Sequence, residues 1–155
     1  FKAQLSIWQR GVDCVSKTVS RKRNISTWSD RMSKTAAEYL QEANQIVPRV
    51  SSEEAIGYFG DANTVFIDVR DSSDVAESGT VKGAVNINRG FIEFAADKST
   101  KFHNAALDAS KRICVICAAG GQAALAGKTL RDMGYSNVIN IGGFNDWKAA
   151  GGETE

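Results

Sequence analysis

One stretch constrains the fold of this chain more than any other: residues 112–122, which read RICVICAAGGQ. A short run of apolar residues ends on Cys117, and two alanines and two glycines follow it directly. An apolar run of this length beside a glycine pair is typical of a parallel strand that is buried on both faces. The stretch therefore predicts a strand, then a tight loop, then a helix.

Cys117 is the residue around which this loop closes. The small side chains after it let the backbone approach the sulfur closely, so that N–H groups can surround it. The helix N-terminus beyond the loop adds positive partial charge, which favours the thiolate over the thiol. We therefore predict that Cys117 is a nucleophile, since a buried structural cysteine would leave the glycine pair unexplained. The predicted cradle consists of Ala118, Ala119, Gly120, Gly121 and Gln122.

Cys114 stands before Cys117 with the C-x-x-C spacing of redox motifs and zinc knuckles. In those motifs the pair lies in a turn or at a helix start, whereas Val115 and Ile116 continue a strand. Strand residues three apart point to opposite faces of a sheet. We predict that Cys114 is an inert core residue.

The composition is that of a soluble, globular protein with one domain. Of its 155 residues, 43% are hydrophobic and 24% charged. No apolar run approaches the roughly 18 residues of a membrane-spanning helix, so we expect no membrane partner. Residues 32–155 carry twelve basic against sixteen acidic residues, which argues against nucleic acid as a partner. Three cysteines do not make a paired disulfide framework, so we expect a reducing compartment, the cytoplasm.

Residues 1–31 differ from the rest of the chain. They carry seven basic residues against two acidic ones and show no helical or strand periodicity, so we expect an unstructured, dispensable extension before a domain at 32–155. Three interpretations stay open: an organellar targeting peptide, an interaction tail, or sequence upstream of a true start at Met32. The last is favoured, because a helix signal follows Met32 at once.

Hydrophobic periodicity and capping residues predict an alternation of helices and strands. Thr35 and Glu38 have the spacing of a capping box before the first helix. The fourth helix is expected to turn Phe91, Phe94 and Ala95 inward. Helices are predicted over residues 35–47, 52–59, 71–78, 91–96, 121–133 and 144–149. Strands are predicted over residues 64–69, 85–87, 113–117 and 137–141. This rhythm indicates an α/β domain with a mostly parallel sheet.

Charged residues also mark the predicted ligand-binding edge of the sheet. Asp68 and Arg70 lie at the end of the strand over 64–69, and open α/β sheets bind ligands at that edge. We predict that the two form a structural ion pair at the base of the Cys117 loop. His103 is expected to be a solvated surface residue, because no partner with ligand spacing accompanies it.

Four motifs stand in an order that resembles the single-domain rhodaneses. They are DVR at 68–70, GTVKGAVNI at 79–87, CAAGGQ at 117–122 and GGFNDW at 142–147. The resemblance extends from about residue 36 to residue 153. It implies a small three-layer α/β domain with a central, mostly parallel five-stranded sheet flanked by helices. It also implies a sulfurtransferase that carries a persulfide on Cys117 and needs no metal or organic cofactor.

Two positions depart from the family pattern. Thr80 stands where histidine is common, which puts a structural contact in question. Gln122 stands at the sixth loop position, where a cation or a hydroxyl is usual. Because its amide is neutral, we expect it to bind the thiosulfate dianion only weakly. The stability of a persulfide held by backbone N–H groups should be little affected. The resemblance and its charge make Arg89 a candidate for a pocket cation that replaces the one missing at position 122.

The resemblance implies sulfur transfer in two half-reactions. Cys117 would take the outer sulfur of thiosulfate or of a thiol or protein persulfide, and would pass it to a thiol or cyanide. The expected partners are therefore a small donor and acceptor, and a persulfide-donating protein. Two alternatives stay open: a non-catalytic or sulfur-relay binding module, and a phosphatase or arsenate reductase with a Cys-x5-Arg loop. Ala123 disfavours the second, since neither loop register supplies the arginine.

Overall fold

The structure of the chain is a computed structural model that describes residues 33–155. The expectations for residues 1–31, and for Met32 as a first residue, lie outside the described residues. Among the helices of the described part, none is both long and apolar enough to cross a membrane.

Helices and strands alternate along residues 33–155 as predicted. The helices are α1 (Ala36–Ile46), α2 (Ser52–Ile56), α3 (Ser72–Ser78), α4 (Ile92–Ala96), α5 (Gly121–Asp132) and α6 (Phe144–Ala149). The strands are β1 (Thr64–Asp68), β2 (Val85–Asn86), β3 (Arg112–Cys117) and β4 (Val138–Gly143). The capping box at α1 is complete: Thr35 Oγ1 accepts from the N–H of Glu38, and the Glu38 carboxylate accepts from the N–H of Thr35. Helix α2 is shorter than predicted, because turns replace its second half.

The strands form one parallel sheet in the order β2-β1-β3-β4. The α/β class is therefore confirmed, but the sheet has four strands where the resemblance implied five. A rudiment of another strand lies beside β4, where Arg49 makes a single parallel bridge to Asn140. This bridge lies in the five-residue segment between α1 and α2.

Each face of the sheet carries its own hydrophobic cluster, which gives the expected three layers. The side chains of β3 alternate between them. Val115 and Cys117 pack with α4 and α5, whereas Cys114 and Ile116 pack with α2 and α6. Strand β3 is central and its side chains are buried on both faces. Cys117 is its last residue, so it lies at the carboxyl edge of the sheet, and it packs on the α5 side.

The prediction that Phe91 and Phe94 face inward is wrong. A 3₁₀ turn at Arg89–Phe91 precedes α4, so the helix begins one residue later. It buries Ala95, as predicted, but Ile92 and Ala96 take the inward positions expected of the two phenylalanines. Phe91 and Phe94 are 41% and 50% exposed. The inward-facing positions of α4 are therefore shifted by one residue from those predicted for Phe91 and Phe94.

His103 is also less solvated than expected. Its ring is partly buried, and Nδ1 lies 3.0 Å from the carbonyl oxygen of Ala95. The contact ties the loop after α4 back to that helix.

Candidate functional site

Cys117 ends β3 and is only 2% exposed. Its Sγ accepts hydrogen bonds from two backbone N–H groups, that of Gly120 at 3.1 Å and that of Ala123 at 3.4 Å. Of the residues predicted to form the cradle, 118–122, Gly120 donates to the sulfur, and the second donor, Ala123, lies one residue beyond that range in the first turn of α5. Both donors lie at the positive end of a twelve-residue helix, an arrangement that stabilises negative charge on the sulfur.

Gly120 gives the loop its shape. Its φ of 92° lies in the left-handed region, which glycine adopts without a steric penalty. From this position its N–H reaches the sulfur, while its carbonyl accepts the first helical hydrogen bond from Ala124 at 3.0 Å. Gly121 opens α5, whereas Ala118, Ala119 and Gln122 are exposed.

Asn140 holds the loop from the neighbouring strand, a role that sequence reasoning missed. Its side chain is fully buried in β4. The Nδ2 group donates to the carbonyl of Gly120 at 2.9 Å, and Oδ1 accepts from the N–H of Gly142 at 2.9 Å. Both halves of the amide are therefore used to join the two glycine turns beside Cys117. The available signal was a polar residue inside the apolar run VINI.

The glycine pair at the end of β4 lets that strand approach the Cys117 loop closely. A Cβ atom on Gly143 would lie 2.6 Å from the carbonyl oxygen of Ala118, closer than side-chain carbons approach. The β3–β4 register also shifts between Val115 and Cys117, so that Cys117 pairs with Gly143. Backbone therefore packs against backbone at this point.

Asp68 and Arg70 form the buried ion pair that was predicted at the end of β1. The Arg70 Nη2 lies 2.6 Å from Asp68 Oδ2, and Nε lies 3.0 Å from Oδ1. Arg70 also donates to Ser78 Oγ at 2.8 Å and to the Gly79 carbonyl at 2.7 Å. The N–H of Val69, between them, donates to the carbonyl of Ile116 next to Cys117. The pair thus ties the end of α3 to the end of β1, and the backbone of Val69 joins that end to β3 beside Cys117.

Thr80, one of the two departures from the family pattern, contacts the buried ion pair. Its Oγ1 donates to Asp68 Oδ2 at 2.7 Å. Both carboxylate oxygens of Asp68 therefore have donors.

Arg89 lies along the side of α5 rather than over its N-terminus. The guanidinium pairs with Glu93 at 3.2 Å and donates to Thr129 Oγ1 at 3.2 Å. Thr129 is seven residues beyond Gln122, or about 10 Å along the helix axis. The structure therefore does not bring Arg89 to the Cys117 loop. A different cation, Arg49, lies against Gly120 of the loop, and the sequence did not single it out.

Cys114 is fully buried on the opposite face, as predicted. Burial raises the pKa of its thiol to about 12, so the neutral form persists at neutral and mildly alkaline pH. Among residues 33–155, no group of three or more side chains is placed to bind a metal ion.

We expect Cys114→Val to keep sulfur transfer, because valine fills a similar buried volume and the thiol is neither charged nor near the cradle. The rate of sulfur transfer and the melting temperature check this. Iodoacetamide at pH 8, followed by peptide mapping, should leave Cys114 unlabelled in the wild type. Complete loss of transfer in a folded Cys114→Val variant would contradict the assignment.

Comparisons with known proteins agree with this geometry. The model of the Rhodanese-like domain family matches residues 51–150. No match is found among curated proteins. Three solved structures illustrate the similarity to known folds. RPA3614 of Rhodopseudomonas palustris, a protein of unknown function described as a possible tyrosine phosphatase, is 31% identical with a TM-score of 0.76, covering 80% of this chain and 96% of that one.

The other two structures include a sulfurtransferase. The polysulfide-sulfur transferase homodimer of Wolinella succinogenes is 29% identical with a TM-score of 0.61, covering 75% of this chain and 83% of that one. The rhodanese-like domain of the Anabaena protein Alr3790 is 28% identical with a TM-score of 0.57, covering 70% and 78%. The family match spans most of the chain, and the fold and the cysteine loop agree with it, so this chain belongs to the rhodanese-like domain family.

Proposed function

We propose that the protein is a sulfurtransferase that carries sulfur as a persulfide on Cys117. The observation that carries this proposal is the pair of backbone N–H groups, of Gly120 and Ala123, that point at Sγ from the start of α5. Donors fixed in this way stabilise the thiolate that attacks the donor, and they lie beside the sulfur that would carry the persulfide. Membership of a family whose structural relatives include sulfurtransferases supports the same class.

The chemistry needs no oxidant or reductant from outside. In the first half-reaction the Cys117 thiolate attacks the outer sulfur of the donor. A new S–S bond forms while the bond to that sulfur breaks, and the leaving group keeps the electron pair, as sulfite does when thiosulfate is the donor. In the second, a thiolate or cyanide attacks the terminal sulfur and restores the Cys117 thiolate.

Donors and acceptors are proposed at the level of chemical class. The proposed donor is thiosulfate or a thiol or protein persulfide, and the acceptor is a thiol or cyanide. A persulfide-donating protein is a further proposed partner, and a reducing compartment the proposed location, because the nucleophile must remain a free thiolate.

The two alternatives make different predictions. A binding or relay module would hold a protein partner without turning over small donors. The neutral Gln122, in place of a cation, favours this alternative. A phosphatase needs an arginine to bind a phosphate dianion, but Ala123 occupies the position that would supply it in a Cys-x5-Arg loop. The description of RPA3614 as a possible phosphatase therefore does not extend to the loop of this chain.

Mass spectrometry of the intact protein tests the proposal. After incubation with thiosulfate or a small persulfide, we expect an adduct of about 32 Da, one sulfur atom, on the Cys117 peptide. Cyanide should remove it and release thiocyanate. No adduct with any donor would favour the binding module, and hydrolysis of an aryl phosphate that depends on Cys117 would favour the phosphatase.

We expect Gln122→Arg to raise kcat/KM for thiosulfate. A guanidinium at this exposed position would add a charge-assisted hydrogen bond to the dianion, worth about 1.5 to 3 kcal/mol, or roughly ten- to a hundredfold. Gln122→Met serves as the matched neutral control and should not show the rise. A wild type that already uses thiosulfate as well as the arginine variant would contradict the expectation.

A further inference from the structure

Arg49 is anchored beside the Cys117 loop although it lies far from it in sequence. Its backbone segment borders β4: the N–H of Val50 donates to the carbonyl of Asn140 at 3.0 Å, and the N–H of Asn140 donates to the carbonyl of Pro48 at 2.9 Å. These two bonds flank Arg49 and fix the origin of its side chain. The side chain itself is exposed.

The guanidinium of Arg49 rests against the loop. A Cβ atom built on Gly120 would lie 2.8 Å from Nη1 and 3.1 Å from Cζ, and one on Gly142 would lie 3.2 Å from Nη2. The group is thus in contact with the residue whose N–H donates to Cys117 Sγ. Arg49 and Gly142 also border an open surface cleft of about 380 Å³, so the cation faces solvent next to the loop.

Arg49 forms no salt bridge within residues 33–155. Arg70 is paired with Asp68, and Arg89 with Glu93. No carboxylate oxygen of the described residues lies within 4.0 Å of the Arg49 guanidinium. Asp146 and Glu53 line the same cleft as Arg49, and Asp146 also borders Gly142, but both lie beyond that distance.

We infer that Arg49 is a specificity-determining residue, which supplies from the edge of the sheet the positive charge that the loop lacks at Gln122. The inference rests on the proposed sulfur transfer, and it identifies the residue that sets the preference between sulfur donors. Because a dianion gains more than a monoanion from the same field, Arg49 favours thiosulfate over a thiosulfonate, RSO₂S⁻. It acts through its field, so an arginine at position 122 would still add a direct hydrogen bond.

Both donors react by the same balanced step. The Cys117 thiolate forms a bond to the outer sulfur while that sulfur's bond to the sulfonyl group breaks. Thiosulfate leaves as sulfite and thiosulfonate as sulfinate, each keeping the electron pair, and Cys117 becomes a persulfide anion. The donors therefore differ mainly in the charge that approaches the loop.

Arg49→Gln tests the inference with thiosulfate and methanethiosulfonate compared in one assay of persulfide formation. We expect kcat/KM for thiosulfate to fall about tenfold and that for the thiosulfonate about threefold or less. High salt should shrink the difference between variant and wild type, because the cation is exposed. Arg49→Lys should keep most of the preference. Lys111→Gln, at the opposite end of β3, removes the same charge and should leave the preference unchanged.

The outcomes separate this inference from the proposal beneath it. If the wild type forms a persulfide but Arg49→Gln uses thiosulfate within twofold of it, or loses both donors equally, the role of Arg49 is overturned and the sulfurtransferase stands. If the wild type forms a persulfide with neither donor, both fall. Addition of Gln122→Arg to Arg49→Gln should restore thiosulfate use, and no recovery in the folded double variant would also overturn the inference.

Discussion

Cys117→Ser is expected to lose sulfur transfer with every donor while remaining folded. Serine has nearly the same shape, so the N–H groups of Gly120 and Ala123 keep an acceptor, but its hydroxyl is neither ionised at neutral pH nor able to form a persulfide. Transfer should fall below detection, a loss of at least roughly a thousandfold. The gain of one sulfur by mass spectrometry and the release of thiocyanate are the two measurements.

Two comparisons make this result specific. The loss should be the same in wild-type and Gln122→Arg backgrounds, because the added cation helps to bind the donor but cannot replace the nucleophile. Cys114→Val, three residues earlier in the same strand, serves as the control that keeps transfer. Sulfur transfer by a folded Cys117→Ser variant would show that another residue carries the sulfur.

Arg70→Met is expected to cause the largest loss of stability. It leaves the fully buried carboxylate of Asp68 with only the Thr80 hydroxyl and one backbone N–H as partners. Removal of one member of a buried ion pair costs about 3 to 5 kcal/mol of unfolding free energy. For a domain of this size we expect the melting temperature to drop by roughly 10 to 20 °C. Thermal and denaturant unfolding measure the effect.

A surface variant and a double variant test whether the loss of stability comes from the unpaired buried charge. Lys128→Met breaks the exposed pair with Asp132 and should cost about 0.5 kcal/mol or less. Asp68→Asn combined with Arg70→Met removes the orphaned charge and should recover part of the stability. If Arg70→Met costs less than about 1 kcal/mol, the pair does not support the fold as proposed. Persulfide formation at a temperature where the variant is folded separates a structural role from a chemical one.

Elements with a strong local signal were predicted well. The capping box of Thr35 and Glu38 is complete in α1, and the run before Cys117 is β3. Both signals depend on residues only a few positions apart, where backbone geometry dictates the contacts. The prediction failed at Phe91 and Phe94, because a shift of one residue at a helix start rotates the buried face.

The supporting residues of the site could not be predicted in this way. Arg89 was a candidate because of the family resemblance and its charge, but its guanidinium lies beside Thr129 of α5. Asn140 carried only the signal of a polar residue inside an apolar run, and Arg49 carried none. Their roles depend on the order of the strands, which places β4 and the segment beside it against the Cys117 loop.

The sequence by itself determined the strand, loop and helix around Cys117, because short-range sterics and the glycine pair allow few other conformations. Only the tertiary structure decided what surrounds that loop. Contacts of Gly120 with Asn140 and with Arg49 join segments that are far apart in the chain, and such contacts arise from sheet order and packing rather than from local conformational preference.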